Sequence, residues 1–210
     1  MGRYAAIYAS LRVIYYGVIL WMPLYLSSVM GFEGKVTGVL ASMFDVGGLL
    51  GGIAVGHISD RLRSRTYILT PLVALGIPLL VSFLLIDAHT SFLFFLIIPL
   101  LGLAISSPTN LVASMIPSDL AQRTEMEGNR RVLGTITGIV VGTGTIWAGL
   151  GMLVIGWLQD VAWTWVFAFL VGNGVLAAVL LGVETRKAYR EIARNRKSSL
   201  GLELEEKELN

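Results

Sequence analysis

The chain has 210 residues, 55% of them apolar and only 14% charged, with a formal net charge of +2 and a mean hydropathy of +0.73. A water-soluble domain carries about a quarter charged residues, so that class is excluded. Cysteine is absent and histidine occurs only as His57 and His89, which excludes a disulfide framework, a thiolate metal site and a cysteine nucleophile.

Stretches of roughly 20 mostly apolar residues, each able to cross a hydrocarbon core of about 30 Å as a helix, recur along the chain. They predict six spans over residues 5–28, 36–56, 67–86, 92–114, 132–158 and 163–183. The alternating strands of about 10 residues that mark a membrane barrel are not visible. The fold class expected is an all-α integral membrane protein with six transmembrane helices. The domain reading is a six-span membrane domain over 1–184 and a charged tail over 185–210. The first apolar run is longer than a signal-peptide core and shows no small-residue cleavage site, so it is read as a span.

The first span carries a cation, Arg12, within YASLRVIYYGVILWMPLYL. It lies nine residues beyond Arg3, roughly 13 Å along the helix. Residues 42–65, from the second span into the turn after it, read SMFDVGGLLGGIAVGHISDRLRSR and carry Asp45, roughly 18 Å from His57 on a helix running the opposite way. A charge near a span centre costs on the order of 3 kcal/mol on insertion scales, so such residues face a bundle interior or a watery cavity. For Arg12 the alternatives are snorkelling toward the nearby interface or an anion site, since a guanidinium fork matches phosphate oxygens in a bidentate way. Tyr15 and Tyr16 place hydroxyls on the same helical face. Asp45 is read as a structural partner to a cation, Arg12 among the candidates, as a proton-linked carboxylate, or as a substrate contact. Asn110, in the fourth span, is added to the candidate substrate contacts.

Glycines recur at intervals of four in the second span (Gly48, Gly52, Gly56; Gly47, Gly51) and in the fifth (Gly134, Gly138, Gly142), where Gly144, Gly149 and Gly151 follow. That spacing puts small residues on one face and predicts close helix packing. The fifth span also holds Thr135, Thr137, Thr143 and Thr145, whose hydroxyls either line a polar path or bond to their own backbone.

Fourteen of the sixteen Lys and Arg residues fall on one side of the expected bilayer: Arg3, the turn with Arg61, Arg63 and Arg65, the loop with Arg123, Arg130 and Arg131, and the tail. Lys35 alone falls on the other. By the positive-inside rule both termini are expected in the cytoplasm. The tail RKAYREIARNRK, followed by LELEEKELN, reads as a basic juxtamembrane helix with an acidic end, suited to anionic headgroups.

The turn Gly56-His-Ile-Ser-Asp60-Arg61-Leu-Arg63-Ser-Arg65 resembles the G-x-x-x-D-R-x-G-R-R loop of the major facilitator superfamily, with arginine at 63 where that pattern has glycine. LWMPLYL (20–26), FDVGGLLGGI (44–53) and SDLAQRTEMEGNRRVLGTITGIVVGTGTIWAGLG (118–151) resemble the sugar-phosphate exchangers of the eukaryotic solute-carrier type, relatives of the bacterial glycerol-3-phosphate antiporters. The resemblance covers about residues 5–184 and implies the C-terminal six-helix half of a major facilitator fold. It implies exchange of organophosphate for inorganic phosphate by alternating access, with no cofactor and no metal. The bacterial members carry a substrate-binding arginine six residues before the tryptophan of a W-x-P turn. Here Trp21 and Pro23 match that turn, Tyr15 stands at the matching position, and Arg12 lies one turn earlier. The family's loop motif acts as a conformational latch, which the resemblance places at Asp60, Arg61 and Arg65, with Asp119 and Arg131 bracketing the second loop.

The function expected is therefore transport of sugar phosphate or glycerol 3-phosphate, with a non-transporting six-span module, or an incomplete half of a twelve-span carrier, as the rival. No zinc-ligand spacing, nucleophile elbow or P-loop is found, so an enzyme is not expected. Partners expected are organophosphate and phosphate anions, the bilayer, and an N-terminal six-helix half or a second copy; no nucleic acid is expected. The resemblance favours the endoplasmic reticulum or another endomembrane, with the plasma membrane as the alternative.

Overall fold

The computed structural model describes the backbone of residues 2–61, 66–86, 92–123 and 130–208, and the side chains of 3–59, 61, 66–86, 92–113, 134–135, 137–187 and 189–190. Six helices make up the fold: α1 (Gly2–Ser28), α2 (Gly34–Arg61), α3 (Thr66–Leu85), α4 (Phe94–Arg123), α5 (Arg130–Val161) and α6 (Trp163–Glu208). Each contains a stretch long and apolar enough to cross a membrane. All run past the limits expected from hydropathy at one end or both, α6 furthest, because intrahelical hydrogen bonds remain the cheapest way to satisfy the backbone on leaving hydrocarbon.

Proline does not break these helices. Pro23 lies inside α1, and Pro71 and Pro78 lie inside α3. In lipid a broken segment would expose backbone groups with no water to bind them, so the helix continues through the missing N–H. The turns instead use short devices. After α1, Gly31 takes a left-handed φ of 71° and the Phe32 N–H reaches the Leu26 carbonyl at 3.1 Å. Between α5 and α6 a single residue, Ala162, reverses the chain, its N–H bonded to Leu158 O at 3.0 Å.

Helix α1 is the central post, in contact with α2, α4, α5 and α6, while α3 packs on α4 and α6. Its residues Val13, Ile14, Val18, Met22 and Leu26 join one buried cluster, and Ile7, Tyr8 and Leu11 join a second nearer the chain termini. The first cluster ends in edge-to-face aromatics: Tyr25 lies 5.0 Å from Phe167 and 5.2 Å from Trp163 between ring centroids, and its hydroxyl donates to the Phe83 carbonyl at 2.8 Å. At the opposite end α6 is tied to its neighbours by polar contacts. Arg3 pairs with Glu184 at 3.2 Å, and the Thr70 and Thr185 hydroxyls meet at 2.8 Å.

The recurrent glycines divide into two sets. In α2, Gly47 and Gly51 face α4, where a Cβ would collide with the Pro99 carbonyl and with Ser107 and Leu103; Gly102 of α4 faces the Phe44 carbonyl in return. The two backbones are in direct contact, the arrangement that small residues permit in lipid. In α5, Gly144 and Gly151 face Tyr8 and Val13 of α1. The second set, Gly38, Gly52 and Gly56 of α2 and Gly134, Gly138, Gly142 and Gly149 of α5, meets nothing within 4 Å. Half of the small-residue pattern thus builds this bundle, and half is left open on its outside.

Candidate functional site

Helix α1 presents a tyrosine one turn before and one turn after its intramembrane cation. Residues four apart stack on one helical face, and Arg12 is half-buried between Tyr8 and Tyr16. Its Nε donates to the Tyr8 hydroxyl at 2.7 Å and its Nη1 to the Tyr16 hydroxyl at 3.3 Å. The guanidinium carbon lies 5.2 Å from both ring centroids. Each ring face attracts the cation by about 0.5–2 kcal/mol. The clamp uses only part of a fork of five N–H donors.

Tyr8 was absent from the sequence-based candidates. The i−4 spacing that mirrors Tyr16 about Arg12 was the available signal. The residue is fully buried, and an ideal Cβ on Gly144 would lie 2.5 Å from its Cδ1. The Tyr8 ring is thus set between the guanidinium and the α5 backbone.

Tyr15 faces another neighbour. Its ring is 5.5 Å from Tyr16 and 6.0 Å from Phe44 of α2. Asp45 itself is exposed on α2. The inward face of that helix runs through Leu40, Phe44, Gly47, Gly51 and Val55, and Asp45 is about 100° away from Phe44 around the axis, beside the open Gly38, Gly52 and Gly56. Among the described residues no ion pair joins Arg12 to Asp45 or to any other carboxylate. Of the open readings of Asp45, the ion pair with Arg12 is therefore not formed.

Asn110 is exposed on α4 and makes no hydrogen bond to Arg12, Tyr15, Tyr16 or Asp45. Below it Ser106, Ser107 and Thr109 are buried, with Thr109 bonded to the Ile105 carbonyl at 2.6 Å. The hydroxyls of Thr143 and Thr145 bond to the carbonyls of Ile139 and Val141 at 2.8 and 2.9 Å, so these two satisfy their own backbone. In the expected latch, Arg61 is exposed with Nη2 3.0 Å from His57 Nε2. Arg65 and the side chains of Asp60, Asp119 and Arg131 lie outside the described residues. Among the described residues no cluster of three or more His, Cys, Asp or Glu side chains could hold a metal ion.

A six-helix bundle with a tyrosine-clamped arginine at membrane depth can hold an anion. No family model matches the chain. It does align with the glucose-6-phosphate exchanger SLC37A2 of Mus musculus, 36% identical over 183 residues, which cover 86% of this chain and 36% of that protein. SLC37A2 of Bos taurus is 32% identical over 181 residues, again 86% of this chain and 36% of the relative. Sugar phosphate exchanger 3 of Mus musculus is 36% identical over 169 residues, 80% of this chain and 34% of the relative. The chain is a homologue of the sugar-phosphate exchangers. It spans about a third of the length of these relatives, between 34% and 36%. The chain thus aligns with one portion of these longer relatives, and the resemblance to the sugar-phosphate exchangers is borne out.

Proposed function

We propose that this chain supplies half of the anion pathway of an organophosphate carrier, moving sugar phosphate or glycerol 3-phosphate in exchange for inorganic phosphate by alternating access. One observation carries the reading. Arg12 is a permanent cation at membrane depth, held in place by two tyrosines and paired with no carboxylate among the described residues. A cation at membrane depth without a counter-ion is costly even when half-buried. A phosphoryl group supplies the missing charge and fits the N–H fork as a bidentate ligand.

In this reading Arg12 binds the phosphate, Tyr8 and Tyr16 hold it, and Tyr15, Asp45 and Asn110 contact the rest of the substrate path. Asp60, Arg61, Arg65, Asp119 and Arg131 act as the latch at the arginine-rich end, which faces the cytoplasm together with both termini. The substrate is carried without covalent change, in an endomembrane. The relatives' names, glucose-6-phosphate exchanger and sugar phosphate exchanger, support the substrate class.

A second reading rests on the open glycine faces of α2 and α5. Small residues at intervals of four that meet nothing in this chain are suited to another helical unit. That unit is a further six-helix half or a second copy, and the 210-residue chain by itself would then not transport.

The test uses the full chain in liposomes preloaded with phosphate, following uptake of labelled phosphate, glucose 6-phosphate and glycerol 3-phosphate. Uptake that needs internal phosphate and falls at least tenfold in Arg12→Gln supports transport and the site. Folded protein without exchange removes autonomous transport and leaves the second reading. Equal exchange by wild type and Arg12→Gln removes Arg12 from the site.

A further inference from the structure

Helix α6 runs without interruption from Trp163 to Glu208, well past its apolar part. Its inward side is set by contacts. Ala177 and Leu181 are buried, Gly174 packs near Ile77 and Ile14, and Glu184 reaches Arg3 at 3.2 Å. On the opposite side Val175, Val179 and Val183 are exposed at 44%, 58% and 39%. They recur at intervals of four, so they form one outward stripe.

Arg186 follows Val183 by three residues and Arg190 follows Arg186 by four, which continues that stripe; both are exposed, as is Lys187 beside them. Arg194 and Lys197 come next on the helix at steps of four and three, in the same register. Arg196 falls off this register, and Lys207 lies ten residues beyond Lys197 among glutamates. As far as Arg190 the apolar stripe and the basic stripe are thus one line along α6, facing away from the bundle. The outward face of α6 also differs from the open faces of α2 and α5. It carries bulky Val and Leu side chains where they carry spaced glycines, the composition of a lipid-facing helix as against a helix-packing one.

We propose that this stripe is a binding site for anionic phospholipid headgroups. Arg186 and Arg190 lie about 5 and 10 Å beyond the last outward valine along the axis. The polar layer of a bilayer leaflet is about 5–8 Å thick, so these two and Lys187 stand in or just above the headgroups. Arg194 and Lys197 lie farther along the same helix and add to the positive charge beyond the headgroups. Charge complementarity selects the ligand: a row of cations directly above an apolar stripe matches a phosphate headgroup above its acyl chains. Glu184 is turned inward and already shared by Arg3 and Lys187, and the basic stretch 186–197 holds six Lys and Arg residues against the single carboxylate Glu191. This site is separate from Arg12 and does not depend on transport.

The experiment reconstitutes the full chain in phosphatidylcholine bilayers containing spin-labelled lipids and measures the relative association of phosphatidylglycerol or phosphatidylserine against phosphatidylcholine. Wild type is expected to prefer the anionic lipids about threefold or more, with the preference lost as salt rises from about 0.1 M to 1 M. Arg186→Gln, Arg190→Gln, Arg194→Gln and Lys197→Gln together are expected to bring the ratio close to one. Arg196→Gln with Lys207→Gln, which removes tail charge off the stripe, is expected to keep the wild-type ratio. Circular dichroism and gel filtration check that each variant folds, and the salt titration of wild type tests the site without any substitution. No preference in wild type, a preference that survives the fourfold change, or an equal loss in both variants overturns the proposal.

Discussion

Tyr8 of α1 and Gly144 of α5 approach so closely that a Cβ on residue 144 would lie 2.5 Å from the Tyr8 Cδ1 and 2.9 Å from its Cε1. The same Tyr8 accepts the Arg12 Nε–H at 2.7 Å. One ring therefore links the packing of α5 against α1 to the orientation of the candidate anion-binding cation.

Gly144→Ala forces the Tyr8 ring or the helix to move, and overpacking of this kind costs about 1–3 kcal/mol. Gly142→Ala, two residues away where nothing lies within 4 Å, is expected to be neutral or to stabilise by up to about 1 kcal/mol through helix propensity. Unfolding in graded detergent, followed by circular dichroism, separates the two. Combining Gly144→Ala with Tyr8→Leu should restore much of the loss. Equal destabilisation by the two alanines would contradict the contact.

Tyr8→Phe keeps the ring and removes the oxygen that accepts from Arg12 Nε. The guanidinium retains its Tyr16 bond at 3.3 Å but becomes free to rotate. If Arg12 binds phosphate, the substrate concentration at half-maximal exchange should rise about fivefold, the effect of a hydrogen bond worth about 1 kcal/mol, with little change in the maximal rate. A fall in maximal rate at unchanged half-saturation would assign Tyr8 to another step.

Hydropathy placed all six helices, because twenty apolar residues in a row have few other physical outcomes. It located Arg12 and Asp45 for the same reason, as charges where charge is expensive. Periodicity could not say which face of α2 was inward. Gly48 and Gly52 share a side with Asp45, yet Gly48 packs against Ser106 of α4 while Gly52 meets nothing. Which glycines find a partner depends on the crossing of two helices, a long-range fact absent from either segment. Tyr8 stands alone in the sequence beside the adjacent pair Tyr15-Tyr16, whereas the clamp on Arg12 uses its i−4 and i+4 positions.

The α2–α4 contact gives a sharper contrast than α5. A Cβ on Gly47 meets the Pro99 carbonyl, and backbone has no rotamer with which to give way. Gly47→Ala should therefore cost at least the upper end of the overpacking range, about 3 kcal/mol. Gly52→Ala, on the open face of the same helix, should be neutral or mildly stabilising in the isolated chain. Measured again with any partner that covers that face, Gly52→Ala should become unfavourable, since close approach then needs the missing side chain.

Asp45 and Arg12 are the two intramembrane charges, and their pairing is the simplest explanation that does not involve function. A buried pair broken at one end costs about 3–5 kcal/mol, and a double-mutant cycle would show coupling of that order. The geometry predicts otherwise: Asp45 is exposed on α2, and Arg12 is oriented by two neutral tyrosine hydroxyls. Asp45→Asn should leave unfolding unchanged to within about 0.5 kcal/mol, and the cycle with Arg12→Gln should be additive to the same limit. Added phosphate should then stabilise wild type and Asp45→Asn but not Arg12→Gln, because a ligand stabilises only the folded state that binds it. Coupling above about 2 kcal/mol between the two sites would restore the ion pair and remove the argument that Arg12 awaits an anion.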